Sequence, residues 1–149
     1  MKELKCITVR EVTPVSGNLV STPEMVFNAW NAGVKTASWF DDQKECFVVF
    51  LLDTKNKCTG FSLVSLGTLD SSLVHPREVF RPAIAGSAAR IIIAHNHPSG
   101  DPAPSAEDLA TTRELILAGE VVGIPVTDHL VIGDTFLSMR AEGLVDFVA

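Results

Sequence analysis

Cysteine is scarce in this chain. Cys6, Cys46 and Cys58 are widely spaced in 149 residues, with no C-x-x-C pair. That spacing suits neither a disulfide framework nor a cysteine-rich structural zinc site, so the three read as reduced, partly buried thiols. No apolar run approaches the ~20 residues that cross a bilayer, and no membrane attachment is expected. Lys2, Glu3 and Lys5 stand where a secretory signal would need an apolar stretch, so a cytoplasmic location is expected. Basic charge is also short: 12 Lys and Arg stand against 18 Asp and Glu, a net charge of −6. Affinity for nucleic acid rests on neutralising phosphates, so strong direct binding is not expected, although an acidic average leaves room for a local basic patch. No internal repeat or low-complexity segment is present, and no G-x-S-x-G elbow or cysteine signature marks a nucleophilic triad.

What is there suits a single domain, residues 1–149, large enough to bury a core without staples; 46% of residues are hydrophobic and 20% charged. Residues 1–44 read as a strand, Cys6–Val9, and a helix that pack on a core spanning 45–139. The helix entry is Thr22-Pro23-Glu24, with Thr22 as cap and Pro23 at the first position; Phe27 and Trp30 supply its apolar face, and Gly33 its stop. A hairpin follows: Cys46–Leu52 is a continuous apolar run, Asp53-Thr54-Lys55-Asn56 supplies the turn, and Phe61–Leu66 alternates apolar residues with Ser. Residues 76–87 predict a helix that Pro82 kinks or shortens. Ile91–Ala94 reads as a buried strand, and residues 105–118 as a helix ended by Gly119. Strands around 125–132 and 135–139, joined at Gly133-Asp134, complete an α+β fold, or α/β sandwich, with a mixed sheet.

The chemistry gathers in the run His95-Asn96-His97-Pro98-Ser99-Gly100-Asp101-Pro102, continuing to Ser105 and Asp108. Residues two apart on a strand project to the same side, so His95 and His97 can offer two ring nitrogens to one metal as the strand ends. Asp108 can supply a third ligand and leave a fourth position open for water, the arrangement of catalytic zinc sites. Ser105-x-x-Asp108 before an apolar helix is equally a capping pattern, and an oxygen used for the cap is not expected to serve the metal as well. Asp101 is the rival ligand, although between Gly100 and Pro102 it suits a turn hydrogen bond. His129 reads as a satisfied structural histidine, with a supporting role behind a metal ligand as the alternative. Hydrolysis also needs a carboxylate near the water, and Glu45 and Glu78 are the upstream candidates. In Pro76-Arg77-Glu78 an acid suits the first turn of a helix, while Glu45 opens an apolar strand. Other His-x-His families fit less well. Amidohydrolase barrels need a longer chain, metallo-β-lactamase-like sites need Asp-His where Ser99-Gly100 stand, and zinc deaminases need cysteines that are absent.

His95-x-His97, seven residues, Ser105, two residues and Asp108 resembles the JAMM motif of MPN-domain metalloproteases. The HNHPSGDP run, Ala118-Gly119, Gly123-Ile124 and Asp128-His129-Leu130-Val131-Ile132-Gly133 further resemble its bacterial RadC-like (JAB) branch, over about Glu45 to Gly133. The resemblance implies the MPN fold, a mixed sheet curled around helices with cytidine-deaminase-like layering. It implies a JAMM-type zinc metallopeptidase, a hydrolase, holding one Zn2+ per chain through His95, His97 and Asp108. Glu45 is then the general base and Ser105 the donor to the oxyanion, acting on a peptide or isopeptide bond of a peptide or protein substrate. Longer RadC-like proteins carry an extra N-terminal helical domain, which this chain is expected to lack, and a homo-oligomer is compatible with the family. The competing expectation, prompted by the historical DNA-repair association of the RadC name, is a nonenzymatic accessory or protein-interaction domain with a structural zinc.

Overall fold

A computed structural model describes residues 12–14, 19–67 and 74–147. The strand expected at Cys6–Val9, and Cys6 itself, lie outside the described residues. Six strands form one sheet: β1 (Thr13–Pro14), β2 (Glu45–Leu52), β3 (Cys58–Gly67), β4 (Arg90–Asn96), β5 (Val126–Ile132) and β6 (Phe136–Ser138), in the order β1-β3-β2-β4-β5-β6. All pairings are antiparallel except β4 with β5. The helices are α1 (Pro23–Ala32), α2 (Pro76–Ala85) and α3 (Ala106–Val122). This is the expected α+β fold with a mixed sheet.

From Cys46 to Leu52 β2 is apolar because both of its faces are covered, which is why that run shows no alternation. Phe47, Val49 and Leu51 join Ile91 and Ile93 of β4 against α2 and α3, where Val79, Phe80, Leu115 and Ile116 close the layer. Cys46, Val48, Phe50 and Leu52 point the other way, to Val26 and Trp30 of α1. Thr22 caps α1 by accepting the Met25 N–H, Pro23 takes the first position and Gly33 ends the helix, as expected. The β2–β3 turn has Asn56 at φ 62°, a conformation asparagine tolerates. Among the described residues no helix is long and apolar enough to cross a membrane.

Two helix ends differ from the sequence expectation. α2 keeps the buried Pro82 inside it and stops at Ala85, two residues early, where the Gly86 N–H bonds Pro82 O. α3 does not end at Gly119 but runs to Val122. Gly123, at φ +83°, is the left-handed residue that stops it, and the N–H groups of Gly123 and Ile124 both return to Gly119 O. Gly119 is small for a different reason: a Cβ there would lie 2.6 Å from Ile124 O.

Burial also settles the thiols. It pushes Cys46 up to about 12 and Cys58 up to about 11, the latter despite the Gly60 carbonyl that accepts its S–H. Neither forms a thiolate near neutrality. Alkylation of native protein at pH 8 followed by peptide mapping is expected to leave both unmodified, and to label both once the protein is denatured. Rapid native labelling of either would show that the layer over it opens.

Candidate metal centre

β4, α3 and β5 form a parallel strand–helix–strand unit, and the polar cluster sits where β4 ends and α3 begins. Ligands in α/β sheets collect at the carboxyl ends of strands for the same reason: chain reversals there expose polar groups above a rigid sheet. Along β4, His95 shares the face of Ile91 and Ile93, so the pleat carries an imidazole out of the core layer. Phe47 of β2 pairs with His95 and stacks on its ring at 5.9 Å and 9°. His97 lies one pleat further on, in a loop pinned to β5 by its own N–H to Ile132 O at 2.7 Å.

The loop from His97 to Ser105 is held tightly. Gly100 adopts φ +89° and its carbonyl accepts the Asp134 N–H, while a Cβ on Gly133 would lie 2.2 Å from Gly100 O. Glycine at both places therefore lets two backbones touch and sets where His97 stands.

Three atoms converge. His95 Nε2 lies 3.1 Å from His97 Nε2, and each is 3.3 Å from Asp108 Oδ2. Among the described residues these form the one group of side chains that could hold a metal ion. Asp108 is also the capping-box residue of α3. Its Oδ2 accepts the Ser105 N–H at 2.9 Å, and Ser105 Oγ accepts the Asp108 N–H at 3.0 Å. The oxygen used for the cap is also the one nearest the imidazoles: Oδ2 takes the N–H on one lone pair and faces the rings with the other. Burial would raise the Asp108 carboxyl, and the N–H that Ser105 donates to Oδ2 works against it by favouring the carboxylate.

The hydrogen bonds behind the cluster determine where the imidazole protons sit. Thr112 Oγ1 donates to Asp108 O at 2.7 Å, since a carbonyl can only accept. The same hydroxyl lies 2.6 Å from His129 Nδ1, so that nitrogen carries a proton and donates. His129 Nε2 is then bare and accepts from His95 Nδ1 at 2.7 Å, which leaves His95 Nε2 bare and facing the cluster. Burial, with the His95 ring next, pushes His129 well below the ordinary histidine value and keeps it neutral, as this chain of bonds requires. His97 Nδ1 donates to Asp101 O at 2.9 Å, so its Nε2 is bare as well. His129 is therefore more than a satisfied core residue, because it orients a member of the cluster. Thr112 had no sequence signal of its own. Only a helix face laid across β5 brings it to His129.

Thr112→Val removes the hydroxyl while keeping the shape, and is expected to weaken divalent-metal affinity ~10- to 100-fold. Competition against a chromophoric chelator measures this. Thr112→Ser should restore affinity, and unchanged affinity in Thr112→Val would show that the relay does not set the His95 tautomer.

The other candidates separate cleanly. Asp101 keeps its carboxylate in a turn, accepting the Ala103 N–H, and contributes only its carbonyl to His97. Glu78 lies in the first turn of α2, paired with Arg81 at 3.5 Å and near Arg77. Glu45 opens β2 on the face of Phe47, two residues before the Phe47–His95 pair that ends the β2–β4 ladder. It makes no ion pair or hydrogen bond among the described residues, and is half-buried. Its backbone is clamped on both sides by Asn96, whose Oδ1 accepts the Cys46 N–H at 2.7 Å and whose Nδ2 donates to Lys44 O at 3.0 Å. Ser105 is exposed, and its hydroxyl proton has no acceptor among the described residues.

A family described as the RadC-like JAB domain matches residues 20–144. A UPF0758 protein of Desulforamulus reducens is 53% identical over 106 residues, covering 70% of this chain and 47% of its own. One from Geobacter sulfurreducens is 48% identical over 126 residues, 84% of this chain and 53% of its own. A third, from Moorella thermoacetica, is 54% identical over 103 residues, 68% of this chain and 45% of its own. The chain spans about half the length of the curated relatives it matches.

Proposed function

The chain belongs to the RadC-like JAB-domain family, and on that premise we propose that it is a zinc-dependent metallopeptidase hydrolysing a peptide or isopeptide bond. The observation that carries this reading is the convergence of two bare imidazole nitrogens and one carboxylate oxygen at 3.1–3.3 Å. Three lone pairs so close repel unless a cation lies among them. A tetrahedral ion about 2.0–2.1 Å from each ligand needs ligand–ligand edges of roughly 3.3–3.4 Å. The donor set, two nitrogens and one oxygen, is one that zinc takes in hydrolases, with a position left for water.

His95, His97 and Asp108 would hold the zinc, which when bound lowers the pKa of its water towards ~7 and polarises the scissile carbonyl. The remaining chemistry belongs to the chain. Glu45, which has no partner among the described residues, accepts the proton of the attacking water and returns it to the leaving amine. Asn96 holds the strand end that carries it. Ser105 has already spent a lone pair on the α3 cap, so its O–H is free to donate to the developing oxyanion, a contribution on the order of ~3 kcal/mol. Neutral His129 keeps His95 in the ligand tautomer throughout.

Metal analysis of protein purified without chelator, followed by a peptide-library cleavage screen, tests this. Zinc with chelator-sensitive cleavage is the expected result. Zinc with no cleavage of any peptide or isopeptide substrate would favour the nonenzymatic accessory reading, and absence of zinc would remove the hydrolase altogether.

A further inference from the structure

On the opposite face of the sheet, and at the opposite end of β4 from the histidines, lies a cavity of about 710 Å³. Arg90 lines it from the first residue of β4. His97 stands seven residues further along, roughly 23 Å away at ~3.3 Å per residue. Leu52 and Ile92, which face α1 rather than α3, form part of its floor, so it shares no wall with the metal centre.

Its charge is unusual for an acidic chain. Arg90 and Arg140 both line it, approaching the start of β5 from opposite sides, Arg90 from β4 and Arg140 from just beyond β6. Neither guanidinium has a carboxylate partner within ion-pair distance among the described residues. Arg90 Nη1 is held by the Asp53 and Thr54 carbonyls and by Asn56 Oδ1, and Arg140 Nη1 by Thr127 O at 3.1 Å. Neutral acceptors fix both groups, Asp128 offsets part of the Arg140 charge, and among the described residues the other side-chain N–H donors of each fork have no hydrogen-bond acceptor. The carboxylate in the lining, Asp128, is 7% exposed and turned inward. Its Oδ2 accepts from Ser138 Oγ, and its Oδ1 from the N–H groups of His129 and Arg140. Ser21 and Thr22, at the start of α1, add hydroxyls and the positive end of that helix.

We infer that this cavity binds a small oxyanionic ligand, a phosphate or carboxylate on an apolar carrier, gripped by Arg90 and Arg140 with the carrier over Leu52 and Ile92. Two arginines lining one space suit an oxyanion, whose geometry a guanidinium fork matches better than a lone ammonium does. A volume of 710 Å³ lies within the range of small-molecule sites and far exceeds what a simple ion needs.

Calorimetric titration of the whole chain with phenyl phosphate, and in parallel with benzoate, tests the assignment and separates its two sources. Saturable binding of either, one per chain, is expected. Arg140→Gln should weaken it at least ~tenfold. Arg90→Gln should do the same, but it also loosens the β2–β3 turn, so Arg140→Gln carries the decision. His97→Ala should leave binding unchanged, which also separates this site from the proposed peptidase centre. No saturable binding of either probe, affinity indifferent to Arg140→Gln, or loss of binding in His97→Ala would each overturn the proposal.

Discussion

Replacing His97 with alanine is expected to strip the chain of zinc. Purified without chelator, the unaltered protein should carry about one zinc per chain, and His97→Ala should carry almost none. The reason is geometric. The three converging atoms come from the end of β4, the loop after it and the first turn of α3, so removing one leaves two donors. Cys46→Ser and Cys58→Ser should retain the metal, because both thiols are buried in the layer facing α1 and stay protonated. Full zinc retention in a His95→Ala/His97→Ala double variant would refute the site.

Glu45→Gln separates the chemistry from the metal. It keeps size and hydrogen-bonding capacity but removes the carboxylate proposed as base, so zinc content should be unchanged while hydrolysis falls ~10²-fold or more. Asp108→Asn should behave differently. It weakens the metal site itself, and because Oδ2 also accepts the Ser105 N–H, it loosens the start of α3 by about 1 kcal/mol. Paired zinc and turnover measurements on the two variants distinguish the roles. Wild-type turnover in Glu45→Gln would exclude it as base. Zinc loss in Glu45→Gln would mean that a ligand had been mistaken for a base.

Much of this protein is legible in its sequence because the signals are local. Thr22-Pro23 before an apolar face makes a helix start wherever it occurs, and an unbroken apolar run from Cys46 to Leu52 requires a strand covered on both sides. His95 and His97 after Ile91–Ala94 share a face by the pleat alone, and Ser105-x-x-Asp108 caps a helix by its own hydrogen bonds. The spacing of these residues is therefore enough to name the side chains that converge at the end of β4. Helix ends are not fixed by local signals alone, since Gly119 and Gly123 both have the form of a stop, and the choice depends on which glycine sits under Ile124 and which turns left-handed.

Everything that depends on residues distant in the chain was decided only by the tertiary structure. His129 and Thr112 lie 34 and 17 residues from the atoms they meet, and their part in setting imidazole protons exists only because α3 crosses over β5. Asn96 looks like a spacer between two histidines, yet it reaches 50 residues back to hold the strand that presents Glu45. Arg90 and Arg140 are isolated charges in the sequence, and only the sheet order brings them to one cavity. Patterning records which face a residue takes. Which residues meet across that face depends on register and crossover, and no single segment contains that information.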